Sequence, residues 1–310
     1  MAFTIKPYPE WSWSQSRDGL FRECIRKYYY YYYASHNGWL RDSDPESQAA
    51  YRLKQISNLY LLLGDAVHQM AESALKSWRD CGSLTEKSEM ILGIRSRLNQ
   101  AYKDSLQVKQ WKAAPKKLAM LHEMYYGGGL SPQRVGQIKE RIEACVDGFL
   151  SSRSLVELQG VDGIEIKEIE ELNQFYISGE KIHVKLDMLY QKADGTWIIA
   201  DWKTGLESDK NEQQMLLYAL FLHDQYKVPY DRIEIRLEYL LSRECVTPKI
   251  AIEEVERIEA EVMDSIRQMK AYLEDPVRNI PLPKEAFPPN PGKKTCSSCS
   301  FLEICAAKTV

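Results

Sequence analysis

The sequence predicts an α/β fold, because helical and strand-like patterns occupy different parts of one chain of 310 residues. Residues 45–160 carry mainly helical patterns, whereas the alternation of apolar and polar residues that is typical of strands begins at Gly163. A further helix over residues 211–226 lies between two groups of predicted strands. A chain of this length buries a sizeable core, so we expect a single domain, residues 1–310, that carries a helical subdomain.

The helical part begins after Ser14, which can cap a helix that runs into six consecutive tyrosines at residues 28–33. We expect most of these rings to be buried; the alternative is that some of them stack on nucleic-acid bases. One long helix is predicted over residues 45–80, and two more are predicted over residues 86–111 and 132–153.

The strand-like part contains β-branched and aromatic runs separated by turn residues. It predicts strands over residues 165–172, 174–178, 182–190, 196–203, 232–241 and 246–252. A charged helix over residues 253–273 and a proline-rich linker over residues 275–292 follow these strands.

The strands over residues 182–190 and 196–203 are predicted to form a hairpin. A two-residue loop would place their two aspartates on opposite faces, whereas a three-residue loop ending at Gly195 places Asp187 directly across from Asp201. Glycine suits the left-handed conformation that this longer loop requires, because it has no Cβ. We therefore predict the three-residue loop.

Asp201 and Lys203 are two residues apart and project from the same face of their strand, whereas Trp202 points to the other face. Together with Asp187 they bring two carboxylates and an ammonium group close together. Two carboxylates can bind a hard divalent cation such as Mg²⁺ or Mn²⁺, which activates water and neutralises phosphate charge. The alternative is an ordinary surface ion pair at the end of a strand.

Two helical pairs are further candidates for this site. His68 follows Gly64 by four residues and therefore lies on the same face of the predicted helix. A lone histidine in such a helix is usually structural, so it joins the site only if the helix lies beside the hairpin. Gln214 and Tyr218 are likewise one turn apart on a later helix.

The C-terminal region contains three closely spaced cysteines, Cys296, Cys299 and Cys305. Three thiolates need a fourth ligand to close a metal site, and Cys24 is the best candidate for it. Four cysteines fit either tetrahedral zinc or an iron–sulfur cluster, and the spacing does not choose between them. Such a site would fasten the two ends of the chain together.

The composition excludes several classes of protein. The formal net charge is −3, so no global basic field marks a nucleic-acid-binding protein, and any such binding needs a local groove. No apolar run approaches membrane-spanning length and no signal segment is present, so we expect a cytoplasmic protein with reduced cysteines. No nucleotide-binding motif occurs, so ATP hydrolysis would have to come from a partner.

In their order along the chain, these motifs resemble those of the PD-(D/E)XK nuclease superfamily. The resemblance is strongest to RecB-like exonucleases with an iron–sulfur cluster, such as AddB-type nucleases and the exonuclease of CRISPR adaptation. It is carried by Cys24, Gly64 and His68, Asp187, Asp201 and Lys203, Gln214 and Tyr218, and Cys296, Cys299 and Cys305. The chain departs from the family at Lys185, where glycine is common, and at Ile25, where proline is common; residues 79–161 match nothing in it.

The resemblance implies a restriction-endonuclease-like core over about residues 161–275, with a mixed central sheet flanked by helices. It implies that residues 276–310 close onto the N-terminal helix through a [4Fe–4S] cluster, for which zinc is the alternative. It also implies that His68, Asp187, Asp201 and the carbonyl of Trp202 bind Mg²⁺ or Mn²⁺. Lys203 would assist the attacking water, and Gln214 and Tyr218 would position DNA or the lysine.

The activity that the resemblance implies is hydrolysis of DNA phosphodiesters, as an exonuclease on single-stranded DNA or DNA ends. The pathway would be repair, recombination, CRISPR adaptation or phage defence. The alternative is a non-catalytic DNA-binding or assembly module that serves a helicase or integrase partner, and a third reading is a zinc-stapled structural protein.

Overall fold

The computed structural model describes residues 5–207 and 209–307. Its α-helices are α1 (Gln15–Glu23), α2 (Ile25–Tyr29), α3 (Pro45–Leu53), α4 (Leu59–Cys81), α5 (Lys87–Ser105), α6 (Val108–Ala113), α7 (His122–Tyr125), α8 (Pro132–Leu150), α9 (Arg153–Gly160), α10 (Asp209–Tyr226), α11 (Ile252–Lys270) and α12 (Lys293–Ser297). Its strands are β1 (Ile56–Ser57), β2 (Met120–Leu121), β3 (Glu165–Ile169), β4 (Leu172–Ile177), β5 (Glu180–Lys185), β6 (Met188–Gln191), β7 (Trp197–Lys203), β8 (Ile233–Tyr239), β9 (Glu244–Val246), β10 (Leu273–Asp275) and β11 (Ile280–Pro281).

The central sheet has five strands in the order β3-β6-β7-β8-β9. Strands β7 and β8 are parallel, and α10 provides the long connection that a parallel pair needs. The other neighbouring pairs are antiparallel, so the sheet is mixed. This mixed sheet flanked by helices confirms the predicted fold class.

The two faces of the sheet pack against different layers of helices, because neighbouring residues of a strand point in opposite directions. Leu189 and Ile199 join a hydrophobic cluster with α10 and α11. Ile198 and Trp202 join a second cluster, which is built from α4, α5, α8 and α9. Helices α4, α5, α8 and α9 therefore cover one face of the sheet.

Several predicted elements are interrupted or shorter than predicted. The helix predicted over residues 45–80 is two helices, because Asn58 starts α4 by accepting a hydrogen bond from the backbone N–H of Leu61 at 2.9 Å. The strand predicted over residues 182–190 breaks after Lys185, because β5 pairs with β4 outside the central sheet. In the strand predicted over residues 246–252, only Val246 is in a strand, the short β9.

The N-terminal helices and the C-terminal segment share a small hydrophobic cluster. Tyr30 stacks on Phe301 with 5.5 Å between the ring centroids, and both rings are fully buried. The Tyr30 hydroxyl also donates to the backbone carbonyl of Ile304 at 3.1 Å. Within the tyrosine run, Tyr28 and Tyr33 are buried as well, whereas the other three rings are half-buried. Aromatic packing and a hydrogen bond therefore join the N-terminal helices to the C-terminal segment.

Within the described part of the chain, no helix combines the length and the apolar character needed to cross a membrane. The cytoplasmic location and the division into a helical subdomain and a core stay predictions.

Candidate active site

The register of the β6–β7 hairpin decides where its acidic residues lie. Met188 pairs with Ala200, so the next pair along the ladder is Asp187 and Asp201. Gly195 adopts the left-handed conformation with φ of 85° at the end of the three-residue loop. The predicted loop and register are therefore confirmed.

Asp187 lies at the point where the chain passes from β5 to β6. Its Oδ2 accepts a hydrogen bond from the backbone N–H of Trp202 at 2.8 Å, and its own carbonyl accepts from the N–H of Glu170 at 3.0 Å. The indole of Trp202 packs against Phe149 on the opposite face of the sheet. The backbone of Trp202 therefore fixes the carboxylate of Asp187, and the backbone of Glu170 fixes its main chain.

Helix α4 brings His68 to this carboxylate. His68 Nδ1 lies 3.2 Å from Asp187 Oδ1 and 3.0 Å from Glu170 Oε1. The three side chains offer ligand atoms that all lie within 4.8 Å of one another. The helix that carries His68 therefore lies beside the hairpin. His68 was expected to join the site only in that case.

Glu170 was missed by sequence reasoning. It follows β3, has a positive φ of 54°, and is almost completely buried beside His68. Its second carboxylate oxygen lies 2.6 Å from Lys185 Nζ. Two glutamates stand side by side at residues 170–171, and only the pairing of β3 with β6 brings the first of them to Asp187.

A chain of contacts leads from Asp201 through Lys203 to α10. Lys203 Nζ lies 2.6 Å from Asp201 Oδ2 and donates to Gln214 Oε1 at 2.8 Å. The amide of Gln214 donates to the hydroxyl of Tyr218 at 2.6 Å. That hydroxyl donates to the backbone carbonyl of Lys185 at 2.6 Å. The predicted pair on α10 therefore holds the lysine in place and is itself fixed to β5.

The site concentrates charge in a buried place. Burial and the neighbouring charge of Asp201 raise the pKa of Asp187 to about 6. Burial alone lowers the pKa of His68, but the carboxylates of Asp187 and Glu170 outweigh it and raise the pKa to about 11. Burial likewise acts to lower the pKa of Lys203, but the negative charge of Asp201 outweighs burial and raises that pKa. The protonated imidazole of His68 and the ammonium group of Lys203 therefore balance the negative charge of the carboxylates.

These side chains line an open cleft of about 1030 Å³, which we call the active-site cleft. Asp65, Gln69 and Glu72 of α4 lie along one wall of it. Arg97 of α5 and Lys185 also line the cleft. A substrate in this cleft would therefore meet a carboxylate-rich floor with cationic side chains beside it.

The donor set fits a divalent cation. His68, Glu170 and Asp187 offer one imidazole nitrogen and several carboxylate oxygens, which Mg²⁺ and Mn²⁺ accept as ligands. Asp201 is outside this close group, because its carboxylate lies against Lys203. Trp202 contributes its N–H to Asp187, and the role predicted for its carbonyl stays a prediction.

The four cysteines of the predicted metal site lie together in a separate cavity. Cys24, Cys296, Cys299 and Cys305 line one small cavity of about 30 Å³ between the start of α2 and the C-terminal segment. Burial raises the pKa of Cys299 to about 11. In the described ranges, no three of these sulfur atoms lie within 4.8 Å of one another.

Comparison with known proteins gave three results. A family model described as the PD-(D/E)XK nuclease superfamily matches residues 12–306. Among solved structures, that of SSO0001 is similar, with 14% sequence identity, 81% of this chain and 98% of that chain covered, and a TM-score of 0.30, which is too low to support an argument. No curated protein matches the chain.

Proposed function

We propose that this chain, which belongs to the PD-(D/E)XK nuclease superfamily, is a metal-dependent deoxyribonuclease that acts on single-stranded DNA or DNA ends. One observation carries the proposal: a histidine from α4, more than 100 residues before the hairpin, lies 3.2 Å from Asp187 in an open cleft. Lys203 lies beside Asp201 in the same cleft. A merely structural ion pair needs no such convergence from distant elements.

The residues have distinct roles in this proposal. His68, Glu170 and Asp187 hold a divalent cation, with Asp201 and the Trp202 carbonyl as further ligands. A cation bound there supplies charge neutralisation at the phosphate and activation of the attacking water. Lys203, which Gln214 keeps in place, donates to that water or to a phosphate oxygen.

The products follow from the balance of the reaction. The water oxygen forms a bond to phosphorus, and the bond from phosphorus to one sugar oxygen breaks. The sugar oxygen takes a proton, so one DNA end carries a phosphate and the other a hydroxyl. The attacking water loses the proton that balances this step, and apart from that water no oxidant, nucleotide or other co-substrate is consumed.

Cleavage of end-labelled single-stranded DNA in Mg²⁺ or Mn²⁺ tests the proposal. We expect wild-type protein to cleave and Asp201→Ala and Lys203→Ala to lose activity by about a hundredfold or more. Asp264→Ala is the matched control, because Asp264 is a half-exposed carboxylate on α11 outside the cleft. Equal cleavage by all four proteins would exclude the proposed site. DNA binding without turnover under any condition would favour the non-catalytic module.

A circular single strand separates the two modes of cleavage. We propose an exonuclease, so linear DNA should be degraded while a covalently closed circle stays intact. Cleavage of the circle would show an endonuclease. A helicase partner in repair, recombination, CRISPR adaptation or phage defence is part of the proposal, since the sequence offers no motif for ATP hydrolysis.

The cysteine cavity is proposed to hold a [4Fe–4S] cluster. A single zinc ion with bonds of about 2.3 Å would draw its sulfur ligands to within about 4 Å of one another. No three of the described sulfurs lie within 4.8 Å of one another, which favours a larger group. The cluster would join Cys24 to the C-terminal segment and so reinforce the packing of Tyr30 on Phe301.

Metal and sulfide analysis of protein purified without oxygen tests the cluster. We expect a brown protein with iron and acid-labile sulfide, and loss of both in Cys299→Ala. Cys81→Ala is the control, because Cys81 is exposed at the end of α4 and should leave the iron content unchanged. A colourless protein that contains zinc would contradict the assignment.

A further inference from the structure

Helix α4 lines two clefts, and one stripe of its side chains reaches both. Its residues in the active-site cleft include Asp65, His68 and Glu72. A second cleft of about 700 Å³ is lined at the start of the same helix by Asn58 and Leu61. These positions are three or four residues apart throughout, which places them in one stripe along the helix. The two clefts are therefore consecutive along α4.

The end of β7 marks the boundary between the clefts. Lys203 lines the active-site cleft, and Thr204 and Gly205 line the second cleft. A Cβ at Gly64 would lie 3.3 Å from Thr204 Oγ1, so α4 crosses the chain closely at this point. With a rise of 1.5 Å per residue, the face of α4 that spans residues 58–72 is about 21 Å long. That length accommodates several nucleotides of a single strand.

The second cleft differs from the first in its charge. Arg134 and Arg141, two turns apart on α8, line it together with Glu123, the one carboxylate among its described lining residues. That carboxylate is already occupied, because it accepts from the backbone N–H of Leu59 at 3.2 Å and lies 3.6 Å from Arg134. The cleft is therefore cationic on the side away from the proposed metal ligands.

Tyr60 presents an aromatic ring at the same place. Its side chain is 39% exposed, and the guanidinium of Arg141 lies 5.3 Å from the ring centroid. Leu61 beside it is 62% exposed. An exposed ring braced by a guanidinium, next to an exposed apolar side chain, is the surface on which an unpaired base can stack.

We propose that the second cleft binds the single-stranded part of the nucleic acid whose scissile phosphate lies in the active-site cleft. Arg134 and Arg141 contact phosphates, and Tyr60 stacks on a base. A duplex does not fit this surface, because its bases already stack on one another and offer no free face. This inference rests on the proposed function and assigns a role to α8, one of the helices between residues 79 and 161.

Binding of a fluorescent oligothymidylate, measured by anisotropy in EDTA, tests the inference without cleavage. We expect Tyr60→Ala to weaken binding by about five- to a hundredfold and Tyr60→Phe to bind as wild type does. Arg141→Ala should reduce the slope of log K against log salt by about 0.7. Tyr102→Ala and Arg267→Ala are the controls, since Tyr102 is 42% exposed on α5 and Arg267 is exposed on α11.

The outcomes separate this inference from the proposed function. If Tyr60→Ala and Arg141→Ala both bind like the controls, or if wild-type protein does not bind the oligonucleotide, the second cleft has no such role, whatever the cleavage assay shows. If Tyr60 and Arg141 are required for binding but no protein cleaves DNA in Mn²⁺, the binding role of the second cleft is supported and the nuclease proposal is wrong. Thermal unfolding of each variant shows whether Tyr60→Ala is folded, and Arg141→Ala provides the test if it is not.

Discussion

Tyr218→Phe removes one oxygen atom from the chain of contacts that holds Lys203. The hydroxyl accepts from Gln214 at 2.6 Å and donates to the carbonyl of Lys185 at 2.6 Å. Each of these bonds contributes about 0.5–1.5 kcal/mol, so the variant should lose about 1–3 kcal/mol of unfolding free energy. Without its anchor, Gln214 no longer fixes Lys203, and kcat should fall by about ten- to a hundredfold.

Tyr190→Phe is the matched control for this change. Tyr190 is fully buried on the opposite face of the sheet, and its hydroxyl also has two polar partners, since it donates to Glu157 and accepts from Arg236 at 2.7 Å each. Its loss should cost a similar free energy of unfolding without lowering kcat.

Urea unfolding and single-turnover cleavage at saturating DNA measure the two quantities. We expect both variants to be less stable and Tyr218→Phe alone to be slow. If Tyr218→Phe cleaves as fast as Tyr190→Phe, the contacts through Gln214 do not position Lys203, and the reasoning is wrong.

Two further predictions concern stability. Gly148→Ala should destabilise the fold by about 1–3 kcal/mol or more, because its Cβ would lie 2.1 Å from the Leu240 carbonyl oxygen. Gly136→Ala on the same helix meets no atom within 4 Å and should stabilise the fold by about 0.5–1 kcal/mol. Thermal unfolding of the two variants checks both predictions. Burial raises the pKa of Glu157, but the hydrogen bond from the buried Arg236 outweighs burial and holds this pKa at about 2. The pair therefore stabilises the fold above pH 4.5, and this stabilisation is lost as the pH falls towards 2. Urea unfolding of Glu157→Gln should therefore show its largest deficit near neutral pH and a shrinking one below pH 4.5, and a deficit that does not change with pH would contradict the assignment.

Part of the site follows from local sequence. Gly195 fixes the loop length, the loop length fixes the register, and the register places Asp187 across from Asp201. The spacing of Gln214 and Tyr218 by one helical turn likewise predicts the contact that they make. Such features need only a few consecutive residues, which is why sequence reasoning reaches them.

The remaining features depend on pairing between distant segments. Glu170 joins the site only because β3 pairs with β6 and α4 packs against both, and nothing local separates it from its neighbouring glutamate. The break after Lys185 has a similar origin, since the partner of β5 is β4 and not the central sheet. The alternation of apolar residues continues through that break and so predicts one strand where there are two.

Anomalous diffraction from a crystal grown with Mn²⁺ locates the ion without relying on activity. We expect an anomalous peak in the active-site cleft in contact with His68 and Asp187, and its loss in His68→Ala. A crystal that contains Mn²⁺ elsewhere but shows no peak between these two residues would contradict this expectation.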